Sequence, residues 1–442
     1  MGAAANLPEP LPVEALYHGC RLEDLAFETT DTLPDLEHPF GQDRAVEALR
    51  FGSSVQGNDF NLYVMGPSGI GKHTVTRRFL EQRAQQEPVP EDRCYVYNFA
   101  QPGAPRLITL RPGEGRRFAK ALDQLCEELE SAIPAIFESE EYQSRLQELQ
   151  RTFGRRQERA IGEIQAEAEA HDIALIVTPG GFTFAPEKDG EAIDQEAFEA
   201  LPEEERSEIE RVVKSLQQKL QRVVQQFPKW RKETQQQLQA LNEEMAQIAI
   251  GQSITDLRKR FRDNPAVVDH LDAIRSDVVN HVDALRRSDD HHEMAEPIVQ
   301  RYRANVLVAN DELEGAPVIY EDLPTYHHLL GRIEHRVVQG ALITDFSLIQ
   351  SGALHRANGG YLMIDALKLL MQPFAWEALK RSLKSHEIRI ESLEQMYSVL
   401  STVSLRPEPA PSHQGDPARR PPAVLPAGRL GPGLRLAVQG RG

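Results

Sequence analysis

The chain has 442 residues, 40% of them hydrophobic, and a formal net charge of −17. At ~150 residues per domain that length allows about three domains. No run of ~18 apolar residues is present, which excludes a membrane-spanning helix, and the acidic balance excludes a general attraction for nucleic acid. The first residues, MGAAANLPEPLPVEALYHGC, lack a basic region followed by an apolar core, so no signal peptide is read there. Asn6 stands where a myristoylation site needs Ser or Thr. Cys20, Cys94 and Cys126 have neither disulfide nor metal spacing, as in a reducing compartment, and an acidic cytoplasmic protein is expected. His327-His328 and Asp290-His291-His292-Glu293 read as solvated polar loops, because no cysteine or matched histidine spacing accompanies them.

Residues 1–39 are Pro-rich and acidic, an extension expected to wrap over a surface. FGQDRAVEALRFG (Phe40–Gly52) predicts a helix with Ala45, Ala48, Leu49 and Phe51 able to face a core. NLYVM (Asn61–Met65) is a short apolar run ending at glycine, as a buried parallel strand does. HTVTRRFLEQRAQQ predicts a helix that stops before Pro88, and CYVYNF (Cys94–Phe99) a second strand. Strand, Gly-rich loop, helix and strand compose a βαβ unit, so residues 40–114 are read as part of a parallel sheet.

From 115 to 301 charged residues and Gln dominate, with apolar residues at helical spacing. Leu122, Leu125 and Leu129; Leu146, Leu149 and Phe153; Leu216, Leu220, Val223 and Phe227; and Leu238, Leu241, Met245 and Ile248 mark the seam of paired helices or a coiled coil. IALIV, TPGG and FTFAP break that pattern near residues 173–186 and predict a hairpin, with Phe182 and Phe184 on one face, packed on the helical arm or touching a partner.

Strands return over 302–405: ANVLVAN (Ala304–Asn310), YLMID (Tyr361–Asp365), the short EIRIE after the helix of PFAWEALKRSLKSH, and MYSVLSTVSL. The segment 406–442 is rich in Pro, Gly and Arg and has no Lys, Ile, Phe, Tyr, Met or Asn. Such a tail is either a reading-frame shift in a GC-rich gene, which its codon bias favours, or a natural disordered linker.

The chemistry concentrates in VMGPSGIGKHT (Val64–Thr74), which has the Gly-x₄-Gly-Lys spacing of a phosphate loop. The loop Gly66, Pro67, Ser68, Gly69, Ile70, Gly71 and Lys72 turns its amides inward to cradle phosphate, and the helix that follows adds its positive end. His73 takes the place of the Ser or Thr that ligates Mg²⁺, and imidazole is a poor match for a cation that prefers hard oxygens. Thr74 lies about 100° further round the helix, within reach of an α-phosphate. Asp365 ends an apolar strand and is the candidate Mg²⁺ carboxylate. Ala366 follows where a water-polarising Glu is usual, so nucleotide binding is expected with impaired hydrolysis, and Glu377 and Glu334 are candidates to stand in.

FGQDRAVEALRFG, GPSGIGKHT, GRIEHRVVQGALITDFSLIQSGALHRANGGYLMIDALKLL and PFAWEALKRSLKSHEIRIE together resemble the AAA+ part of bacterial Lon-related ATP-dependent proteases, over about residues 15–405. HRANGGYLMIDA with PFAWEALKR carries the resemblance most specifically. It implies an α/β P-loop NTPase (AAA+) fold: a parallel sheet with flanking helices, interrupted by a long helical, coiled-coil-like arm carrying a β-hairpin. It implies ATP and Mg²⁺ as cofactors, a homo-oligomeric ring, protein substrates pulled into a chamber, and cleavage by a Ser–Lys dyad. By position it assigns Gly66, Gly69, Gly71, Lys72 and Thr74 to phosphate, Asp365 to Mg²⁺, and Gln42 and Ala45 to the adenine. His73 and Ala366 depart from that pattern, no Ser–Lys dyad is assignable, and the chain is read as truncated before the peptidase domain. A non-hydrolysing nucleotide-binding scaffold or switch acting through its arm is the alternative; a nucleic-acid-binding protein is disfavoured by the acidic balance.

Overall fold

A computed structural model describes residues 11–17, 19, 21–34, 41–55, 61–67, 69–178, 181–188, 191–192, 198, 202–286, 298–338, 341–390 and 435–441. Among the described residues of 11–34, the regular elements are short 3₁₀ turns, at Val13–Ala15, Leu22–Asp24 and Thr30–Thr32. The run YLMID forms β13 (Tyr361–Asp365), whose first four residues are buried, as a strand covered on both faces must be. Beside it lie β8 (Val318–Glu321) and β14 (Arg435–Arg441), and beyond β14 lies β1 (Leu62–Gly66), in the order β1-β14-β13-β8. All three pairings are parallel. Side chains alternate across the sheet. Tyr361 and Met363 pack with Leu80 and Ala84 of α2 (Lys72–Ala84) on one face. Leu362 and Ile364 pack with Leu329, Leu354 and Leu379 on the other. Those three residues come from α9 (Tyr326–Leu330), α10 (Ala353–Arg356) and α12 (Ala375–Ser385).

One expectation is corrected here. CYVYNF does not join the parallel sheet: β2 (Asp92–Val96) pairs antiparallel with β3 (Arg106–Leu110) and β7 (Ala304–Val308) in a separate three-stranded sheet. An apolar run declares a buried strand but not the direction of its neighbour. In the tail, read as a reading-frame shift or a disordered linker, the described residues are those of β14, where the short apolar run Leu436–Val438 sits between β1 and β13. Smaller differences follow. Phe51 on α1 (Asp43–Ser54) is 71% exposed, and of the four expected core residues only Leu49 is buried. EIRIE contributes an isolated bridge at Glu387 rather than a strand. MYSVLSTVSL, Cys20 and His291-His292 lie outside the described residues.

The antiparallel sheet is the floor of the helical arm. Cys94, Val96, Ile108 and Leu110 pack against Leu122, Leu125 and Leu129 of α3 (Glu114–Glu138), with Met245 and Ile250 of α6 (Phe227–Arg260) above. Burial pushes the Cys94 and Cys126 thiols up to about 12, so both stay protonated fillers of this core. Further out, α4 (Glu140–Glu169) runs antiparallel to α6. The ion pairs Arg145–Glu244 and Arg156–Glu233 step forward along one helix and back along the other, and Arg156 also covers the Trp230 ring at 4.6 Å. At the far end Leu216 and Leu220 of α5 (Glu203–Val224) pack on the hairpin β4 (Ile173–Thr178) and β5 (Gly181–Lys188), with β6 (Glu191–Ala192) beyond. Phe184 is buried and Phe182 packs beside it, so this face serves the arm's own core.

One carboxylate ties the arm to its floor. Buried Asp92 accepts from the Gly115 amide at 2.7 Å through Oδ2 and from the Asn310 amide at 2.8 Å through Oδ1. Gly115 opens the first arm helix and Asn310 follows the returning strand β7. A Cβ at Gly115 would lie 2.9 Å from the Asp92 Cβ, so only glycine lets the helix approach. Among the described residues, no helix is long and apolar enough to cross a membrane.

Asp92→Ala leaves two buried amides without acceptors. A loss of about 2–4 kcal/mol in local opening free energy is expected, read by hydrogen exchange at Gly115 and Asn310. Burial, aided by the Arg106 charge, lowers the His270 imidazole to about 3, and burial near Arg93 does the same to His355. With folded values below the unfolded 6.5, both rings bind protons more readily in the unfolded chain. Stability is therefore full above about pH 6.5 and is lost as the pH falls toward 3. The melting temperature is expected to drop as the pH falls from about 6.5 toward 5, and His270→Phe to flatten that slope.

Candidate functional site

Strand β1 delivers Gly66 to the C-terminal edge of the parallel sheet, where open α/β sheets bind ligands. Between Gly66 and α2 the chain makes two left-handed steps, Gly69 at φ +85° and Gly71 at φ +79°. An added Cβ at either would meet nothing within 4 Å, so glycine answers a backbone requirement there and the space over the loop is open. Gly71 caps α2, whose first amides face that space. Ser68 lies outside the described residues. Pro67 and Ile70 complete the turn, with Ile70 Cγ2 3.3 Å from where a Gly66 Cβ would be, and Thr74 is exposed on the first turn of the helix.

The Lys72 ammonium curls back onto this loop, donating to the Gly66 carbonyl at 2.9 Å and the Pro67 carbonyl at 3.4 Å. Beside it a cavity of about 250 Å³ is lined by Gln42, Ala45, Ala48 and Leu49 of the α1 segment and by Leu62, Val64, Ile70 and Val75. Gln42 and Ala45 are thus brought together with the phosphate-loop residues, in an apolar slot of a size suited to a planar base.

Asp365 and the loop meet on one edge. Val64 and Asp365 both pair with Gln439 of the intervening β14, so they stand level, about 10 Å apart across two strand spacings. Because Tyr361 and Met363 face α2, the strand alternation points Asp365 to that face too. Its Oδ1 accepts from the Lys368 amide at 3.0 Å, capping α11 (Ala366–Met371). Ala366 is buried at the first position of that helix.

His73 is half-buried. Its ring stands edge-on to Tyr320 of β8 with centroids 4.4 Å apart, and its Nε2 is buried without a hydrogen-bond partner among the described residues. The position after the loop lysine is therefore filled by an imidazole turned toward β8.

There the structure adds a carboxylate that the sequence reading passed over. The β8–β13 ladder ends at the pair Glu321 and Ile364, which sets Asp322 alongside Asp365 as the next step. Asp322 Oδ1 accepts from the Tyr320 hydroxyl at 3.1 Å and from the Lys368 ammonium. Those bonds, the lysine's first, hold the Asp322 carboxyl below its usual range, with lesser help from the charges of Lys368 and His73. The same bond to Asp322 raises Lys368, and burial with the Asp322 contact raises the Tyr320 phenol. VIYED ends an apolar run in an acid just as YLMID does, and that shared pattern was the available signal.

The two stand-in glutamates sit in local ion pairs. Glu377 binds Lys380 at 2.6 Å on the exposed face of α12, and Glu334 binds Arg332 at 2.6 Å, after β9 (Gly331–Ile333). Neither pairs with a group of the phosphate loop among the described residues. No group of three or more His, Cys, Asp and Glu side chains among them is arranged to hold a metal ion unaided.

A family model of the LonB-like AAA domain matches residues 314–414, and one of the Lon-like LonC helical domain matches residues 92–125. The chain is Lon-related. The LonB-like match opens just ahead of β8 and holds Asp322, Asp365 and Ala366, while the LonC-like match opens on Asp92 and runs through β2 and β3 into α3. The phosphate loop lies outside both matches, and its reading rests on its own geometry. No curated protein matches the chain.

His73→Thr restores a hard oxygen at the metal position. Calorimetry with ATP is expected to show a larger gain in affinity on adding Mg²⁺ than the parent chain shows; an unchanged or smaller gain would place the metal elsewhere.

Proposed function

We propose that this chain is the ATP-binding AAA+ module of a Lon-like ATP-dependent serine protease, coupling nucleotide turnover to the unfolding of protein substrates in the cytoplasm. One observation carries the reading: the loop that follows β1 and Asp365 stand level at one edge of the parallel sheet, with the apolar slot of Gln42 and Ala45 beside the loop. The open cradle over Gly69 and Gly71 fits a triphosphate, and the amides at the start of α2 face it. Lys72 rests on neutral carbonyls, which anionic phosphate oxygens would replace with charge-assisted bonds. Asp365 would hold Mg²⁺ directly or through water, and the ion would bridge and neutralise the outer phosphates. His73 fits that ion poorly. The helical arm, with its antiparallel α4 and α6, gives the ring a long surface for protein substrates. Peptide cleavage by a Ser–Lys dyad belongs to the full family activity and is assigned to no residue here.

A second reading, a nucleotide-gated scaffold that does not turn over, is favoured by Ala366 and His73 together, since both replace groups usual for hydrolysis. Mg²⁺-dependent release of phosphate by the purified chain supports the enzyme; ATP binding without release supports the scaffold.

Lys72→Ala removes the ammonium bound to the Gly66 and Pro67 carbonyls. A loss of ATP affinity of at least about 10-fold is expected, from one or two charge-assisted bonds of about 1.5–3 kcal/mol each. Unchanged affinity by calorimetry removes the site assignment.

A further inference from the structure

We propose that Asp322 is the carboxylate that orients the attacking water and takes its proton in ATP hydrolysis, the role left open by Ala366. The inference rests on the ATP-site reading above and adds to it a residue for the chemical step.

Position comes first. Asp322 follows β8 and Asp365 ends β13, and the parallel register sets them side by side at the ligand-binding edge. Adjacent strands stand about 4.8 Å apart, so the two carboxylates can serve one site from neighbouring strands. Tyr320 contacts His73 of α2, so the alternation of β8 sends Asp322 to the α2 face, over which the phosphate loop opens. Glu321, between them, goes the other way and is held by His328, Arg356 and the Leu323 amide.

Division of labour comes second. Asp365 already uses Oδ1 to cap α11, which fixes its direction for a metal-holding role. Asp322 caps nothing. Its partners are both donors, the Tyr320 hydroxyl and the Lys368 ammonium, which keep it ionised and aimed. With its side chain 67% exposed, it remains open to water. Glu334 lies after β9 and Glu377 on the exposed face of α12, and the strand register sets neither beside Asp365, as it sets Asp322.

In the step itself, the water oxygen bonds to the γ-phosphorus while the bond from that phosphorus to the β–γ bridging oxygen breaks. The bridging oxygen keeps the electron pair and leaves with ADP. One water proton passes to an Asp322 oxygen and then to solvent, and the products are ADP and inorganic phosphate. Lys368, bound to Asp322 and carried on the helix that Asp365 caps, acts as the positioning residue.

The test uses the full chain, with ATP binding and single-turnover hydrolysis measured side by side on the parent, Asp322→Asn and Asp322→Glu. Asp322→Asn is expected to bind ADP within about threefold of the parent while losing about 100-fold or more in hydrolysis. Trapping of ADP with aluminium fluoride, which mimics the transferring phosphoryl group, should weaken in parallel, and Asp322→Glu should recover part of both. The ADP affinity doubles as the check on folding. Hydrolysis by Asp322→Asn within about threefold of the parent overturns the proposal and leaves the ATP site standing. So does loss of ADP binding in that variant while Asp322→Glu binds normally, or a parent that binds ATP without turning it over. A parent that binds no ATP removes the site reading itself, and this inference with it.

Discussion

Strand β13 is buried on both faces, and that burial decides where the groups of the site can point. Tyr361 and Met363 need the apolar underside of α2, while Leu362 and Ile364 need the helices opposite. Neither set can be exchanged without turning the strand over, which would place the wrong residues against each layer. Asp365 inherits its direction from this arrangement. So do Tyr320 and, beyond it, Asp322, because β8 is held in register with β13. The phosphate loop reaches the same edge because β1 is parallel to both across β14. The geometry of this edge is thus a by-product of packing a strand between two helical layers.

At that edge the electrostatics divide into two circuits. Lys72 rests on carbonyls of its own loop, a weak partnership that an anion can displace. Lys368 is committed to a carboxylate, and the carboxylate to a phenol. The first arrangement suits binding and release of phosphate. The second suits holding a small set of groups still. His73 stands between the two, against the phenol, with a buried ring nitrogen available to neither.

Much of this was legible in residues. The glycine spacing of the loop, the apolar run into Asp365 and the leucine seam of the arm all declared themselves, because each rests on local geometry. What failed rests on pairing. Cys94–Phe99 reads as a strand but does not reveal that Ala304–Val308, about two hundred residues away, lies beside it. The seam of α6 departs from the expected spacing at Ile248: Leu241 and Met245 are buried, but Ile248 is 53% exposed and the buried face passes instead to Ala246 and Ile250. A straight helix of 3.6 residues per turn drifts from any fixed three-four alternation, and a 34-residue helix is long enough to show it. Asp322 was missed for a different reason, since its strand is short and partly exposed and so lacks the apolar density that drew notice to β13.

The buried clasp at Asp92 bears on how such an arm can change over evolutionary time. Both ends of the insertion meet on one side chain, so the sheet below registers where the arm is attached and not how far it extends. Loop closure grows only slowly with length, by about 0.6 kcal/mol for each doubling. The constraint lies within the arm, where α4 and α6 are cross-linked in opposite directions by Arg145–Glu244 and Arg156–Glu233. A gain of one turn in a single leg would slide every pair past its partner. Matched gains in both legs would preserve them. Length variation in this insertion should therefore come as symmetric pairs of whole turns, like links added to both sides of a ladder, with the anchoring carboxylate left in place.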